Sequence, residues 1–186
     1  PESHYEAMYY AGCKQLTVGI EHFSNVIRNH MKKKFSNSDI DYHLDQCSYW
    51  NIPNVFLMIV GYPTETRQDH IENIRAIIKY KKYAQTGIIE LLRWGITMHL
   101  FPDTPITTPE MIETLGIKFN NIKGTNISDT ALYRWTTSSN PDLTLKERLR
   151  RRLELHKLSV HLKYPMPRVK EELTTILEIS KTLSNR

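Results

Sequence analysis

The chain contains little cysteine, little glycine and no long apolar run. Only 2 cysteines and 7 glycines occur among its 186 residues. Cys13 and Cys47 match no zinc-binding or redox spacing, so we predict two structural thiols and a reducing, cytoplasmic setting. The most apolar stretch, 51–66, is interrupted by two prolines and a glycine. The sequence therefore predicts no membrane span.

Several motifs that carry phosphate or metal chemistry are also absent. Neither GxxxxGKS/T nor GxGxxG occurs, and the 8 histidines show no HExxH spacing. The formal net charge is +5, but the basic residues are spread along the chain rather than massed in one block. This charge permits contact with anions without requiring it.

Apolar, β-branched segments alternate with helical patterns in the first half of the chain. Strands are predicted at 16–21 (LTVGIE), 55–60 (VFLMIV) and 88–92, followed by another apolar run at 96–101. Thr66 is predicted to cap a long helix that ends near residue 84. The order is βαβαβ, for which right-handed parallel crossovers are expected. The predicted fold class is therefore α/β with parallel strands.

The second half of the chain differs in composition from the first. Residues 1–110 hold the βαβαβ pattern, and 111–142 read as a polar, irregular linker. Residues 143–186 are predicted to form a helical C-terminal extension. Its two helices are expected at 145–162 and 169–183, separated by the sequence YPMP.

The first strand ends in the sequence GIEHFS (19–24), which places polar side chains at the strand-to-helix junction. A carboxylate at Glu21 can accept both hydrogen bonds of a ribose diol. Ser24 can cap the next helix, and Lys33 follows in HMKKKF. Simpler interpretations stay open. Glu21 could be a solvated or helix-pairing carboxylate, Ser24 only a helix cap, and Lys33 one lysine of a solvated run.

The second strand ends in a comparable junction, IVGYPTET (59–66). Gly61 lets the backbone bend at the strand end, and Pro63 stiffens the turn that follows. Glu65 is expected in the first helical turn, where an acidic side chain is favoured by the helix dipole.

Taken together, these junctions resemble the back half of a radical S-adenosylmethionine (radical SAM) barrel. GIEHFS resembles the fourth-strand signature GxESGS or GxQSGS, and IVGYPTET resembles the fifth-strand IVGLPGET. The sequence ITMHLFPDTPI (96–106) resembles the sixth strand and its turn. The resemblance implies a partial (β/α) barrel over residues 1–110, followed by the helical tail.

The resemblance also implies a cofactor-binding set: Glu21, Ser24, Lys33, Ile59, Gly61 and His99. Glu21 would hold the ribose of S-adenosylmethionine, and Lys33 would pair with its methionyl carboxylate. Ile59 would lie against the adenine beside the bend at Gly61. His99 would face the pocket near the adenine or the substrate, although a lone histidine on an apolar strand is more often a hydrogen-bonded core residue.

Relatives of this family also bind a 4Fe-4S cluster through CxxxCxxC, and that motif does not occur here. The resemblance therefore implies a fragment that would not be active alone, with the cluster and the remaining strands upstream. The pattern is most similar to the branch that often carries a cobalamin-binding domain. No catalytic residue or substrate is identified.

Two alternatives come from other functional classes. The chain could be a non-catalytic α/β scaffold or partner-binding module that lost the cluster. The sequence KERLRRR (146–152) could instead bind nucleic-acid phosphates. We favour an ordinary amphipathic helix there, with a buried leucine stripe and a solvated arginine flank, made of Arg148, Arg151 and Arg152.

Overall fold

The computed structural model describes residues 2–95, 97–119 and 134–166. The elements in chain order are α1 (Glu2–Tyr10), β1 (Leu16–Glu21), α2 (Asn25–His30), α3 (Asn37–Tyr49), β2 (Asn54–Met58), α4 (Arg67–Gln85), β3 (Ile89–Trp94), a 3-10 turn (Pro105–Thr107), α5 (Pro109–Leu115), β4 (Ile117–Phe119), β5 (Trp135–Thr137) and α6 (Leu145–His161).

The three long strands form one parallel sheet in the order β1-β2-β3. Leu16 pairs with Asn54, and Asn54 pairs with Ile89. The predicted α/β class and the βαβ order are thus confirmed. The carboxyl ends of all three strands meet at one edge, which is where ligands bind in parallel sheets.

The two faces of this sheet differ in their cover. Ile20, Phe56, Met58 and Trp94 are buried at 0 to 3 % exposure and form the core against the helices. The opposite face carries the partly exposed Gly19 and the partly or fully exposed side chains of Thr17, Val55, Leu57, Leu91 and Arg93. Within the described residues, this open face has less cover than the faces of parallel sheets ordinarily have.

Local capping signals fix where the covering helices begin. The Ser24 hydroxyl accepts a hydrogen bond from Ile27 N and begins α2. Thr66 and Asp69 form a reciprocal capping box at the start of α4, as the sequence predicts for Thr66. These helices therefore start directly beyond the carboxyl ends of β1 and β2.

The described residues of 97–119 and 134–143 add a smaller unit with its own core. Leu100, Leu115, Ile117, Trp135 and Leu143 form this buried cluster. The antiparallel pair β4–β5 and the helix α5 therefore lie where an irregular linker is expected at 111–142. Trp135 is the main residue of this core, because its ring is fully buried and its Nε1 donates to Met98 O at 3.0 Å.

The prediction of a solvated arginine flank on α6 is wrong. Arg148, Arg151 and Arg152 are 0, 4 and 0 % exposed. Their guanidinium groups donate to backbone carbonyls of Trp135 in β5, of Glu65 in the turn after β2 and of Gly95 just beyond β3, which replaces the lost hydration. These arginines are therefore unavailable to nucleic-acid phosphates, and the buried side of α6 is polar as well as apolar.

Strand boundaries shift slightly from those predicted. β3 runs to Trp94, whereas 97–101 is not a strand, although Met98 N donates to Val60 O at 2.8 Å. The second tail helix, expected at 169–183, lies outside the described residues. Within the part of the chain that the structure describes, no helix has the length and apolar character needed to cross a membrane.

Candidate functional site

Glu21 and Lys33 meet at the carboxyl end of β1, on the open face of the sheet. Lys33 Nζ lies 3.1 Å from Glu21 Oε1 and 3.4 Å from the carbonyl oxygen of Gly19. Their side chains are 20 % and 34 % exposed, so both charges remain within reach of solvent. The structure thus brings together two residues to which the resemblance gives roles at opposite ends of one ligand.

The backbone of Glu21 adopts an uncommon conformation. Its φ is +65°, in the left-handed region that non-glycine residues rarely occupy. The strand register is also irregular between Gly19 and Glu21. This irregularity folds the Glu21 carboxylate back over Gly19, where an added Cβ would lie 2.4 Å from Oε1. A strained residue with an exposed charge at a strand end is a feature of binding sites.

Gly19 therefore provides the space that the Glu21 carboxylate occupies. We expect Gly19→Ala to displace this carboxylate while changing the free energy of unfolding by less than about 1 kcal/mol, because a flexible side-chain end can move aside. Denaturant unfolding and the NMR signals of the Lys33 side chain would measure the two effects. Gly95→Ala is the matched control, since the nearest atom there, Met58 O, is at an ordinary 3.7 Å. Equal responses of Lys33 in both variants would contradict the prediction.

The turn after β2 is organised around Glu65. This side chain is fully buried, and its Oε2 accepts hydrogen bonds from Gly61 N at 2.6 Å and Tyr62 N at 3.3 Å. Ile59 is partly exposed, and its amide donates to Glu21 O at 2.7 Å. Ile59 and Gly61 thus lie beside the first junction, and the two turns are joined through their backbones.

Glu65 also contacts two cationic or protonatable side chains. Arg151 Nη1 lies 3.1 Å from Glu65 Oε1, and His22 Nε2 lies 3.5 Å from Oε2. Burial alone would raise the pKa of Glu65, but the hydrogen bond and charge of His22 and the charge of Arg151 outweigh it and lower that pKa. Glu65 is therefore a buried carboxylate anion in the turn before Thr66, whereas the sequence predicts it in the first turn of the helix.

The Ser24 hydroxyl makes hydrogen bonds within the protein. The residue is 3 % exposed, and its hydroxyl donates to Asp69 Oδ1 at 2.5 Å while accepting from Ile27 N at 3.4 Å. Asp69 also accepts from the amide and hydroxyl of Thr66. The hydroxyl of Ser24 thus ties the start of α2 to the start of α4, which is the helix-cap reading of this residue.

A further contact between the two junctions was not predicted from sequence. His30 Nδ1 at the end of α2 lies 2.7 Å from Thr64 Oγ1 in the turn after β2. His30 lies in HMKKKF and Thr64 in IVGYPTET, but their contact joins residues 34 positions apart, which sequence patterns do not reveal. His99, in contrast, lies beyond β3, partly exposed, with its ring 6.0 Å from that of Phe101.

The described residues do not fit an iron–sulfur cluster. They contain no group of three or more His, Cys, Asp or Glu side chains placed to hold a metal ion. Cys47 is buried beside His43, and Cys13 is directed at Gln15 O at 3.6 Å. Because such clusters require several cysteine thiolates, these two cannot supply the ligand set.

The chemistry available at this edge is therefore polar recognition beside an apolar surface. Glu21 offers a hydrogen-bond acceptor, Lys33 offers a cation, and Ile59 offers an apolar contact. Comparison with known proteins adds no relative, because no family model and no curated protein sequence matches this chain.

Proposed function

We propose that this chain forms the ribose, carboxylate and adenine side of an S-adenosylmethionine site in a radical SAM enzyme. The single observation that carries the proposal is the Glu21–Lys33 pair, which is partly exposed on the open sheet face at the carboxyl end of β1. The cluster, which supplies the electron for cleaving the sulfonium when bound, would be held by residues upstream of this chain.

The pair is suited to exchange its internal contact for contacts with a ligand. Ion pairs that are partly exposed contribute about 1 kcal/mol or less, so separating Glu21 from Lys33 costs little. A carboxylate can accept two hydrogen bonds from a ribose diol, and an ammonium group pairs with an α-carboxylate. The two ends of one ligand would thus replace the two halves of the ion pair.

The surroundings of the pair suit an adenosyl group. Val55, Leu57 and Ile59 run along the central strand on the same side of the sheet, partly exposed. An adenine ring can lie on such apolar surface without hydrogen bonds to side chains. The open face also has the character of a barrel interior that further strands would enclose.

Calorimetric titration of the chain with S-adenosylhomocysteine and with 5′-methylthioadenosine tests this assignment. We expect Lys33→Gln to weaken binding of S-adenosylhomocysteine about tenfold or more, because one charged hydrogen bond contributes about 1.5–3 kcal/mol. Methylthioadenosine lacks the carboxylate, so its binding should be unchanged in this variant. Glu21→Gln should weaken binding of both ligands, since both carry the ribose.

Lys34→Gln is the matched control, because Lys34 is the neighbouring lysine and is exposed. Its affinity for both ligands should equal that of the unmodified chain. An equal loss of affinity in Lys33→Gln and Lys34→Gln would mean that binding depends only on general charge attraction. No binding of either ligand by the unmodified chain would contradict the proposed site.

The open apolar face also favours the second candidate, a partner-binding scaffold without catalysis. Val55, Leu57 and Leu91 offer the same contact surface to a protein as to barrel strands. A scaffold has no need of the Glu21–Lys33 pair. The ligand titration therefore separates the two candidates, since only the radical SAM assignment predicts charge-dependent adenosyl binding.

A further inference from the structure

Helix α6 carries three buried arginines that donate to backbone carbonyls of β5, of the turn after β2 and of the residue just beyond β3. Arg148 donates to Trp135 O at 2.8 Å, and its side chain lies against Gly61. Arg152 Nε donates to Gly95 O at 2.8 Å. Arg151 lies between them and reaches the turn after β2. The helix is thus attached to the edge of the sheet where the candidate site lies.

Arg151 makes the most concentrated set of these contacts. Its Nη1 lies 3.0 Å from Glu65 O, 3.1 Å from Glu65 Oε1 and 3.0 Å from Thr66 O. Its Nε donates to Glu147 Oε1 at 2.9 Å, one turn back along α6. The Arg151 side chain is 5 % exposed, so solvent cannot replace these partners.

The Glu65 carboxylate connects Arg151 to both candidate turns. One of its carboxylate oxygens faces Arg151, and the other accepts the amides of Gly61 and Tyr62. The same second oxygen faces His22, the residue directly after Glu21. His22 Nδ1 in turn accepts Ser24 N at 2.9 Å, which fixes the chain just beyond Glu21.

We propose that Arg151 is a positioning residue that orients both candidate ligand-binding turns through the buried carboxylate of Glu65. α6 then sets the geometry of a ligand site that it does not touch. The inference deepens the proposed function and rests on it for its ligand, but its structural part can be measured without any ligand.

The test compares Arg151→Met with Arg150→Met, a neighbouring arginine that is 55 % exposed and paired with Glu147 and Glu154. Arg151→Met should weaken binding of S-adenosylhomocysteine about tenfold, the size of effect typical of a misplaced contact. Amide exchange at Gly61, Tyr62 and His22 should become faster in this variant. Arg150→Met should leave both properties unchanged.

A double variant distinguishes positioning from general stabilisation. Glu65→Gln with Arg151→Met removes both buried charges, so the denaturant midpoint should recover part of the loss seen in Arg151→Met alone. Binding should stay weak, because the anionic acceptor of the two turn amides is gone. Recovery of binding together with the midpoint would overturn the inference.

The two proposals fail in different ways. If the unmodified chain binds no adenosyl ligand, the proposed function fails, and amide exchange alone then decides the positioning role. Equal exchange rates at Gly61, Tyr62 and His22 in the Arg151→Met and Arg150→Met variants would overturn that role. Faster exchange confined to Arg151→Met would support it.

Discussion

Replacing Gly61 by alanine is expected to lower the free energy of unfolding by about 3 kcal/mol. Two costs combine at this position. The φ of +83° is strained for any residue with a side chain, and the new Cβ would lie 2.5 Å from Cδ and 2.6 Å from Cγ of Arg148. Arg148 is fully buried and held by Trp135 O, so it has no free space to move into. Chemical denaturation monitored by circular dichroism would measure the loss.

Gly87→Ala separates the two costs. Gly87 has nearly the same φ, +81°, but nothing lies within 4 Å of its added Cβ. We expect this variant to lose only the backbone part, about 1 kcal/mol. Equal losses at Gly61 and Gly87 would mean that the close approach of Arg148 does not constrain the turn.

Acidification is expected to destabilise the chain well before its carboxylates titrate. Burial lowers the pKa of His43, His70 and His156 below the ordinary 6.5, the last also through the charge of Arg152. Below pH 6.5 the unfolded chain takes up protons that the folded chain does not, so the free energy of unfolding falls with pH. Each such histidine contributes a slope of at most about 1.4 kcal/mol per pH unit, which applies only between its folded and its unfolded pKa.

A second loss follows at lower pH. The pKa values of Glu65 and Asp69 are lowered, although burial alone would raise them. His22 and Arg151 favour the charged form of Glu65, and hydrogen bonds from Ser24 and Thr66 favour the charged form of Asp69. The stability that these carboxylates contribute is present above their unfolded pKa values, near 4, and is lost as pH falls through the folded values. Denaturant midpoints from pH 7.5 to 3 should therefore fall in two phases.

His156 offers a direct check on the first phase. Its ring is 2 % exposed, and neither ring nitrogen has a hydrogen-bond partner within the described residues. His156→Leu should make the fall of the unfolding free energy below pH 6.5 less steep, by at most about 1.4 kcal/mol per pH unit. His161→Leu, at an exposed position on the same helix, is the control for losing a histidine. An unchanged slope in His156→Leu would contradict this account.

The features that sequence predicts well are those decided by neighbouring residues. The caps at Ser24 and Thr66 follow from side chains that bond amides three residues ahead. The parallel strands follow from apolar runs separated by helical segments. Glu21 and Lys33, to which the resemblance gives roles at one ligand, lie 3.1 Å apart, and the ligand itself stays a prediction.

The features that sequence misses depend on partners distant in the chain. Arg148 and Arg151 look like a solvated flank because the carbonyl groups that accept their hydrogen bonds come from Trp135 and from the turn at Glu65. Glu65 looks like a helix-dipole residue because its contacts with His22 and Arg151 bring together three separate elements. Periodicity reports which side of a helix is apolar, and it carries no information about a polar side that is buried.

The connectivity of the parallel sheet also has a consequence for how fast the chain folds. No two neighbouring strands of this sheet are joined by a tight turn: Leu16 pairs with Asn54, and Asn54 with Ile89, each across intervening helices. Each strand pairing must therefore close a long loop before the strands make stabilising contacts. These non-local contacts raise the contact order. Folding is expected on a scale of roughly milliseconds to seconds rather than microseconds. Unpaired strands would persist during that interval, so the yield of refolding should fall as protein concentration rises.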